Sequence, residues 1–413
     1  MPTPFPALMG TDGKTLAVMD ASGKRWDQGS GGATTAKGGP RNTALPAPIK
    51  YNPHALDWFG KAPSDPATYT TETRASRDTL SWTGATRTAW SKANSITLLG
   101  LMQADGVTAY TSQTAGQNLG APFALEFKTS ATEFAIALRP LSAPTKNAVR
   151  LWVDGQPHPQ VNILEAGKDL SVRVVFPTAK ERTIRVDTRF MEVSGIDHPS
   201  GTTLIATTPP VTRLMMVGDS YVASYGGDGN QNAGNLAGAG LLDVFGWLLG
   251  PLLGVEPVLV GLGGSGYVAK YPVDHFNAVW RQRMHEKVRP DYTVVFGSQN
   301  DGGATLEQTT PAARELYTDI ARYSRIFVAG PSHYGTATFD TALSTITADP
   351  VLAPRVFGYT SPRSWQGMTA GDQHYDKTAH QTWLGHVEYA KRIAAAFAAA
   401  HKVAFPEAYS EVT

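Results

Sequence analysis

The pattern of apolar and polar positions divides the chain into three stretches. Up to about residue 90 periodicity is poor, and Gly, Ala, Thr and Pro dominate, with a loose run GSGGATTAKGG at 29–39. Such composition predicts a loop-rich N-terminal region over 1–90. From 91 to 208 the period is two. Phe123, Leu125 and Phe127 alternate with Ala124 and Glu126, and Phe134, Ile136 and Leu138 alternate in the same way. Alternation places one set of side chains on one face of a strand. VRLWVDG (149–155) ends in Asp-Gly, and LSVRVVF (170–176) and RTIRV (182–186) follow. Asp-Gly tolerates the positive φ angles of a two-residue hairpin turn. Several short alternating strands predict an antiparallel, jelly-roll-like β-sandwich over 91–208.

From 209 to 413 short apolar runs alternate with helical segments. The runs are RLMMVG (213–218), PVLVGL (257–262), YTVVFG (292–297) and RIFVAG (325–330). Each reads as a strand buried on both faces, which is the mark of a parallel sheet. Leu241–Val255 reads as a buried helix, Thr310-Pro311 as a helix start, and Trp383–Ala400 as an alanine-rich helix. The fold class expected is therefore α/β, a three-layer sandwich with a short parallel sheet, preceded by an antiparallel β-sandwich. Ligands of such sheets sit at the carboxyl ends of the strands.

The unusual residues fall at those ends. Gly218-Asp219-Ser220 follows the first run. A serine there is either a helix cap or a nucleophile at the rim of the sheet. Val222 stands where the elbow G-x-S-x-G needs its second glycine, which disfavours the α/β-hydrolase fold. The second run ends in Gly261-Leu262-Gly263-Gly264-Ser265-Gly266, which matches a dinucleotide fingerprint. Against that reading, the tract follows the second strand of its zone, and Glu286, at the right distance for a ribose-binding acid, lies in the basic segment RQRMHEKVRP. The other use of such glycines is to present a backbone N–H to an oxyanion. The third run leads to Asn300-Asp301-Gly302, which is strong turn chemistry and also puts an amide at the rim. Near the C-terminus, Asp376 precedes His380, with Gly385-His386 beyond. A loop histidine is usually a surface residue, but one beside an aspartate can serve as a base.

Composition narrows the functions. The chain has 413 residues, 42% of them hydrophobic and 17% charged, enough apolar material for two or three cores. A net charge of +1 without a Lys/Arg run offers nothing to a polyanion, so no nucleic-acid partner is expected. There is no cysteine, which excludes disulfides and thiolate catalysis. The N-terminal MPTPFPALMGTDGK lacks the features of a secretory signal, and no membrane span is expected. No H-E-x-x-H spacing occurs, and no metal is expected.

Taken together, the order Ser220, Gly264, Asn300, His380 resembles the SGNH (GDSL-like) hydrolase family over about 190 residues of the third zone. GDS matches the nucleophile block, Asn300 the G-x-N-D block (with Ser298 for its glycine), and His380 the D-x-x-H block with its following T-x-x-G-H spacing. The resemblance implies a serine carboxylic-ester hydrolase working through an acyl-enzyme without a cofactor. Ser220 would be the nucleophile and His380 the base. The Ser220 N–H, the Gly264 N–H and the Asn300 amide would form the oxyanion hole. The family aspartate stands three residues before the histidine, where this chain has Lys377. Asp376, one residue earlier, is the expected partner of His380, with Asp372 or a backbone carbonyl as alternatives. His374 is a weaker candidate base, because no Gly-His pattern follows it.

A sandwich ahead of such a unit resembles the layout of some carbohydrate esterases, which implies an acylated polysaccharide or glycolipid as the ester substrate. Trp152, Tyr221, Tyr225, Tyr267 and Trp365 are candidate sugar-stacking residues. The loose N-terminal region, without signal or cysteine, is similar to phage tail-associated esterases, which favours an extracellular or virion-associated setting. The alternative is a glycan-binding or virion structural protein with a degenerate hydrolase fold.

Overall fold

The computed structural model describes residues 8–9, 16–17, 65, 67–73, 86–89 and 122–405, the last without 141–146, 159–160, 164–167, 190, 200, 207–211, 223–241, 262, 270–274, 278–289, 298, 351, 353–354, 369–372 and 376–379. Strands β1 (Leu8–Met9) and β2 (Leu16–Ala17) form a short antiparallel ribbon. The strands of the sandwich follow: β3 (Thr68–Thr73), β4 (Thr86–Ala89), β5 (Phe123–Thr129), β6 (Glu133–Pro140), β7 (Asn147–Val153), β8 (Gln156–Pro157), β9 (Val161–Ile163), β10 (Leu170–Val175), β11 (Arg182–Arg189), β12 (Met191–His198) and β13 (Ile205–Ala206). One sheet runs β3-β10-β6-β12-β4 and the other β13-β5-β11-β7-β8, with β9 also on β7, and the pairing is antiparallel throughout. Two strands of the first sheet, β3 and β4, come from the segment whose composition suggested a loop-rich arm.

Alternation builds the core here. Phe134, Ile136 and Leu138 of β6 meet Leu151 and Val153 of β7 and Ile184 and Val186 of β11 across the sandwich. Asp154 and Gly155 join β7 to β8 with φ of 50° and 78°. This is the two-residue turn that Asp-Gly allows.

The second unit is a parallel sheet with helices on both faces. Its elements are β14 (Arg213–Gly218), α1 (Phe245–Leu253), β15 (Glu256–Gly261), β16 (Tyr292–Phe296), α2 (Leu306–Ala321), β17 (Arg325–Ala329), α3 (Ala337–Thr347), β18 (Val356–Thr360) and α4 (Trp383–Ala404). The order is β15-β14-β16-β17-β18, all parallel. The period of two within β14 explains the three layers. Leu214 and Met216 pack with Phe245 and Leu249 of α1 and Ile393 and Phe397 of α4. Met215 and Val217 pack with Leu316 and Ile320 of α2 and Leu343 and Ile346 of α3. The fold class read from the sequence is the one observed. Helix α2 starts a turn earlier than Thr310-Pro311 suggests. Thr305 caps it, and Gln308 returns the bond in a capping box. The strand order switches sides between β14 and β16, and in such sheets ligands bind at the carboxyl ends of the strands at that switch point.

The two units meet through buried polar groups. Arg150 of β7 pairs bidentately with Asp243, just before α1, with Nη2 to Oδ2 at 2.9 Å. Asp187 of β11 accepts the indole N–H of Trp152 at 2.7 Å and that of Trp247, on α1, at 3.0 Å. Arg185 bonds the same carboxylate at 2.7 Å and lies over both indole rings. Trp152, a sugar-stacking candidate by sequence, is instead 2% exposed in this seam.

Removing one member of a buried ion pair leaves the other charge desolvated and alone. Asp243→Ala is therefore expected to lower unfolding stability by about 3 kcal/mol, and Arg150→Met with Asp243→Leu to recover most of it. Denaturant unfolding curves of the full chain give the comparison.

Candidate active site

Strand β14 ends at Gly218, where a Cβ would lie 2.4 Å from Cγ2 of Val222, so the turn after it can fold back tightly. Asp219 Oδ1 accepts the N–H of Tyr221 at 2.9 Å, and the Asp219 carbonyl accepts the N–H of Val222 at 3.1 Å. These two bonds hold Ser220 at the rim of the sheet. Its hydroxyl Oγ lies 3.1 Å from Nε2 of His380. The two residues stand 160 positions apart in the sequence, and the fold brings them together.

His380 stands two residues before Thr382, the cap of α4. The Thr382 hydroxyl accepts the N–H of Gly385 at 3.3 Å and donates to the Gln373 carbonyl at 2.7 Å, while the Thr382 N–H reaches the His374 carbonyl at 2.9 Å. A Cβ on Gly385 would meet that His374 carbonyl at 2.1 Å. The glycine of the T-x-x-G-H spacing thus allows the loop before His380 to lie against the helix. The histidine after it, His386, is buried. Its Nδ1 receives the N–H of Phe245 at 3.4 Å, and its ring stacks on that of Phe245. His386 thereby couples α4 to α1 and does not face the site. His374 contributes its backbone carbonyl to the helix cap. The ring of Tyr221 lies 5.7 Å from that of His380.

The glycine tract and the Asn300 turn meet each other at the carboxyl end of the sheet. The Asn300 side-chain amide donates to the Ser265 carbonyl at 2.8 Å, next to Gly264, whose φ is +79°. Asp301 accepts three consecutive backbone N–H groups: Tyr267 at 2.8 Å, Val268 at 3.0 Å and Ala269 at 2.7 Å. Residues 263–269 form turns and coil, so the tract does not open a helix as a phosphate-cradling loop would. Glu286 and Ser298 lie outside the described residues, as do Asp376 and Asp372, the two aspartates offered as partners of His380.

Burial shapes the electrostatics. Asp219 is fully buried, and desolvation pushes its carboxyl up to about 7, with the nearby Asp301 charge adding to the rise and the Tyr221 N–H opposing it. The hydroxyl of Tyr221 is held well above the ordinary phenol range, chiefly by burial. It lies 3.2 Å from Ser332 Oγ, which is also 3.1 Å from Gln299 Oε1.

Sequence reasoning missed Asp219, Asp301 and Ser332. The G-D-S and N-D blocks contained the first two, but spacing carries no sign of which aspartate anchors a backbone loop. Tyr221 and Tyr267, proposed as sugar-stacking residues, are 1% and 2% exposed. Trp365 is half-buried against Tyr389, and Tyr225 lies outside the described residues.

Two tests follow from this geometry. A Cβ on Gly266 would lie 2.4 Å from the Asp301 carboxylate, so Gly266→Ala must displace the group that satisfies three N–H groups. The expected cost is about 2 kcal/mol or more in unfolding stability. For Asp219 the folded acid binds its proton more tightly than the unfolded one. Its contribution to stability is therefore complete below about pH 4 and is lost as pH rises towards about 7. Asp219→Asn keeps the acceptor for Tyr221 N–H and removes that loss. The melting temperature of wild type minus variant is expected to fall between about pH 4 and about pH 7.

No family profile matches the chain, and no curated protein matches it by sequence. Solved structures do match. One is a family two carbohydrate esterase from Clostridium thermocellum in complex with cellohexaose (TM-score 0.53, 16% identity, covering 70% of this chain and 93% of that one). Another is a family two carbohydrate esterase from Cellvibrio japonicus (TM-score 0.51, 14% identity, 81% and 98%). A third is the salicylyl-acyltransferase SsfX3 from a tetracycline biosynthetic pathway (TM-score 0.53, 13% identity, 82% and 99%). At these identities the likeness is one of fold, which in this chain is an α/β unit with a parallel five-stranded sheet accompanied by antiparallel sheets.

Proposed function

We propose that the protein is a serine esterase that removes acyl groups from a glycan through an acyl-enzyme intermediate. The observation that carries this reading is the 3.1 Å contact of Ser220 Oγ with His380 Nε2 at the carboxyl rim of the sheet. A hydroxyl at hydrogen-bond distance from an imidazole nitrogen is an activated nucleophile.

The steps are as follows. Neutral His380 takes the hydroxyl proton through Nε2 as Ser220 Oγ attacks the ester carbonyl. The carbonyl oxygen becomes an oxyanion, held by the N–H groups of Ser220 and Gly264 and by the Asn300 amide. An amide nitrogen carries two hydrogens. One goes to Ser265, which fixes the orientation of the Asn300 side chain. The C–O bond to the alcohol breaks, and His380 returns its proton to the leaving oxygen. Water then enters, His380 takes one of its protons, and the acid departs as Ser220 recovers its hydroxyl. Asp376 is the proposed partner that orients the imidazole.

The glycan part of the proposal draws on the two carbohydrate esterases of like fold, and on the sandwich packed beside the α/β unit. The acyltransferase of like fold fits the same first half-reaction, with another alcohol replacing water in the second. A degenerate binding protein would have no need of the Ser220–His380 contact.

Hydrolysis of p-nitrophenyl acetate and of acetylated xylan is the direct assay. Ser220→Ala is expected to lower kcat by at least about 10³-fold and to abolish labelling by a serine-directed fluorophosphonate. Asn300→Ala is expected to cost about 10²–10³ in kcat. A wild-type protein inert on both esters, with Ser220 unlabelled, would leave the binding role in place of the catalytic one.

A further inference from the structure

Large apolar side chains that stand exposed among the described residues are Ile205, Leu306, Tyr323, Tyr334 and Val403. Ile205 belongs to the sandwich. Leu306 lines a groove between α2 and α3. Tyr323 follows α2 and Val403 closes α4, both at the amino-end side of the sheet. Tyr334 differs from these. It lies on the loop that leaves the carboxyl end of β17, on the side of Ser220, and is 37% exposed.

That loop is tied to each part of the site. Ser332 Oγ reaches Tyr221, the residue after the nucleophile, and Gln299, the residue before Asn300. The same oxygen accepts the N–H of Tyr334 at 3.3 Å. Arg363 donates to the His333 carbonyl at 2.8 Å and to the Gly335 carbonyl, bracketing Tyr334 on both sides. The Tyr334 ring stands edge-on to Tyr375, with centroids 5.2 Å apart at 76°. Tyr375 bridges Gln381, the neighbour of His380. An exposed aromatic ring is thus held by fixed partners on the carboxyl side of the sheet, one ring contact from Tyr375, the bridge partner of Gln381.

We infer that Tyr334 is the stacking platform for the sugar ring whose hydroxyl carries the ester, on the alcohol side of the substrate. The inference rests on the esterase reading above and names a specificity residue for it. One face of a pyranose presents C–H groups of partial positive charge, and the face of an aromatic ring is negative. A tyrosine has only two side-chain torsions, and here its backbone is already held, so little entropy is lost on binding. Tyr334 takes no part in bond making. It places the ester over Ser220.

The test separates sugar, acyl group and chemistry. Tyr334→Ala is expected to raise KM for acetylated xylohexaose about 5- to 10-fold, in line with one lost ring contact, with kcat kept within about twofold. On p-nitrophenyl acetate and p-nitrophenyl octanoate its kcat/KM is expected to stay within about twofold of wild type, and Tyr334→Trp to restore the xylohexaose KM. Calorimetry in the Ser220→Ala background reads binding without turnover, and adding Tyr334→Ala there is expected to weaken Kd for the same oligosaccharide by the same factor. Activity lost equally on all three esters would mean that Tyr334 only supports the loop. A loss confined to the octanoate would put the ring against the acyl chain, and unchanged sugar binding would remove the platform. Each of these overturns the inference. Failure of the esterase reading shows separately, as a wild type inert on p-nitrophenyl acetate, while the calorimetric result still decides sugar binding.

Discussion

The carboxylate of Asp301, buried at the end of β16, accepts N–H groups from three consecutive residues of the neighbouring loop. Beyond the end of a strand, backbone groups lose their ladder partners, and a buried N–H left unmet costs about 1–3 kcal/mol. A carboxylate has enough lone pairs to serve several donors at once. The rest of the site is arranged around that bond set. Gly266 lacks a side chain because the carboxylate occupies the space. Asn300, one residue earlier, is brought to the Ser265 carbonyl, and Gly264 comes with it. Next door, burial itself resists ionisation of Asp219, and the Asp301 charge adds to it, so that carboxyl is pushed up to about 7.

Much of the α/β unit was legible because a strand covered on both faces must be apolar throughout. Strands β14, β16 and β17 stand out for that reason, and β15 is as apolar in sequence although it is an edge strand and only partly covered. Strand β18 does not stand out. It is only partly covered, and Gly358 takes the place of an apolar side chain where α4 presses against it. Ser220 and His380 could be paired through the order of motif blocks, which no local periodicity supplies. Asp301 was hidden by ambiguity, because Asn-Asp-Gly spells a turn and is one: Gly302 donates to the Gln299 carbonyl. Which aromatics face water was also unreadable. Trp152, Tyr221 and Tyr267 each carry a polar atom, and each has an internal partner, in Asp187, Ser332 and Tyr317. In strand β3 the sequence TYTTET offers threonine where the pattern needed apolar residues, so its place in a sheet comes from its pairing with β10.

Helix α1 connects the two units to the chemistry. Its Trp247 bonds to Asp187 of the sandwich, and its first N–H meets His386 in the opening turn of α4. That helix is preceded by His380. His380 is therefore linked to the sandwich through two helices in turn, α4 by His386 and α1 by Trp247.

The buried pair Arg150–Asp243 has a consequence for descent as well as for structure. A hydrophobic seam tolerates partners that differ in detail, because oily surfaces are interchangeable so long as they fit. A seam with one charge on each side is a lock with a single key. Recombination that joined either half to a relative without the opposite charge would enclose a lone ion. Exchange of one half alone would therefore leave Arg150 or Asp243 buried without its opposite charge, and a compatible exchange would have to change both positions together.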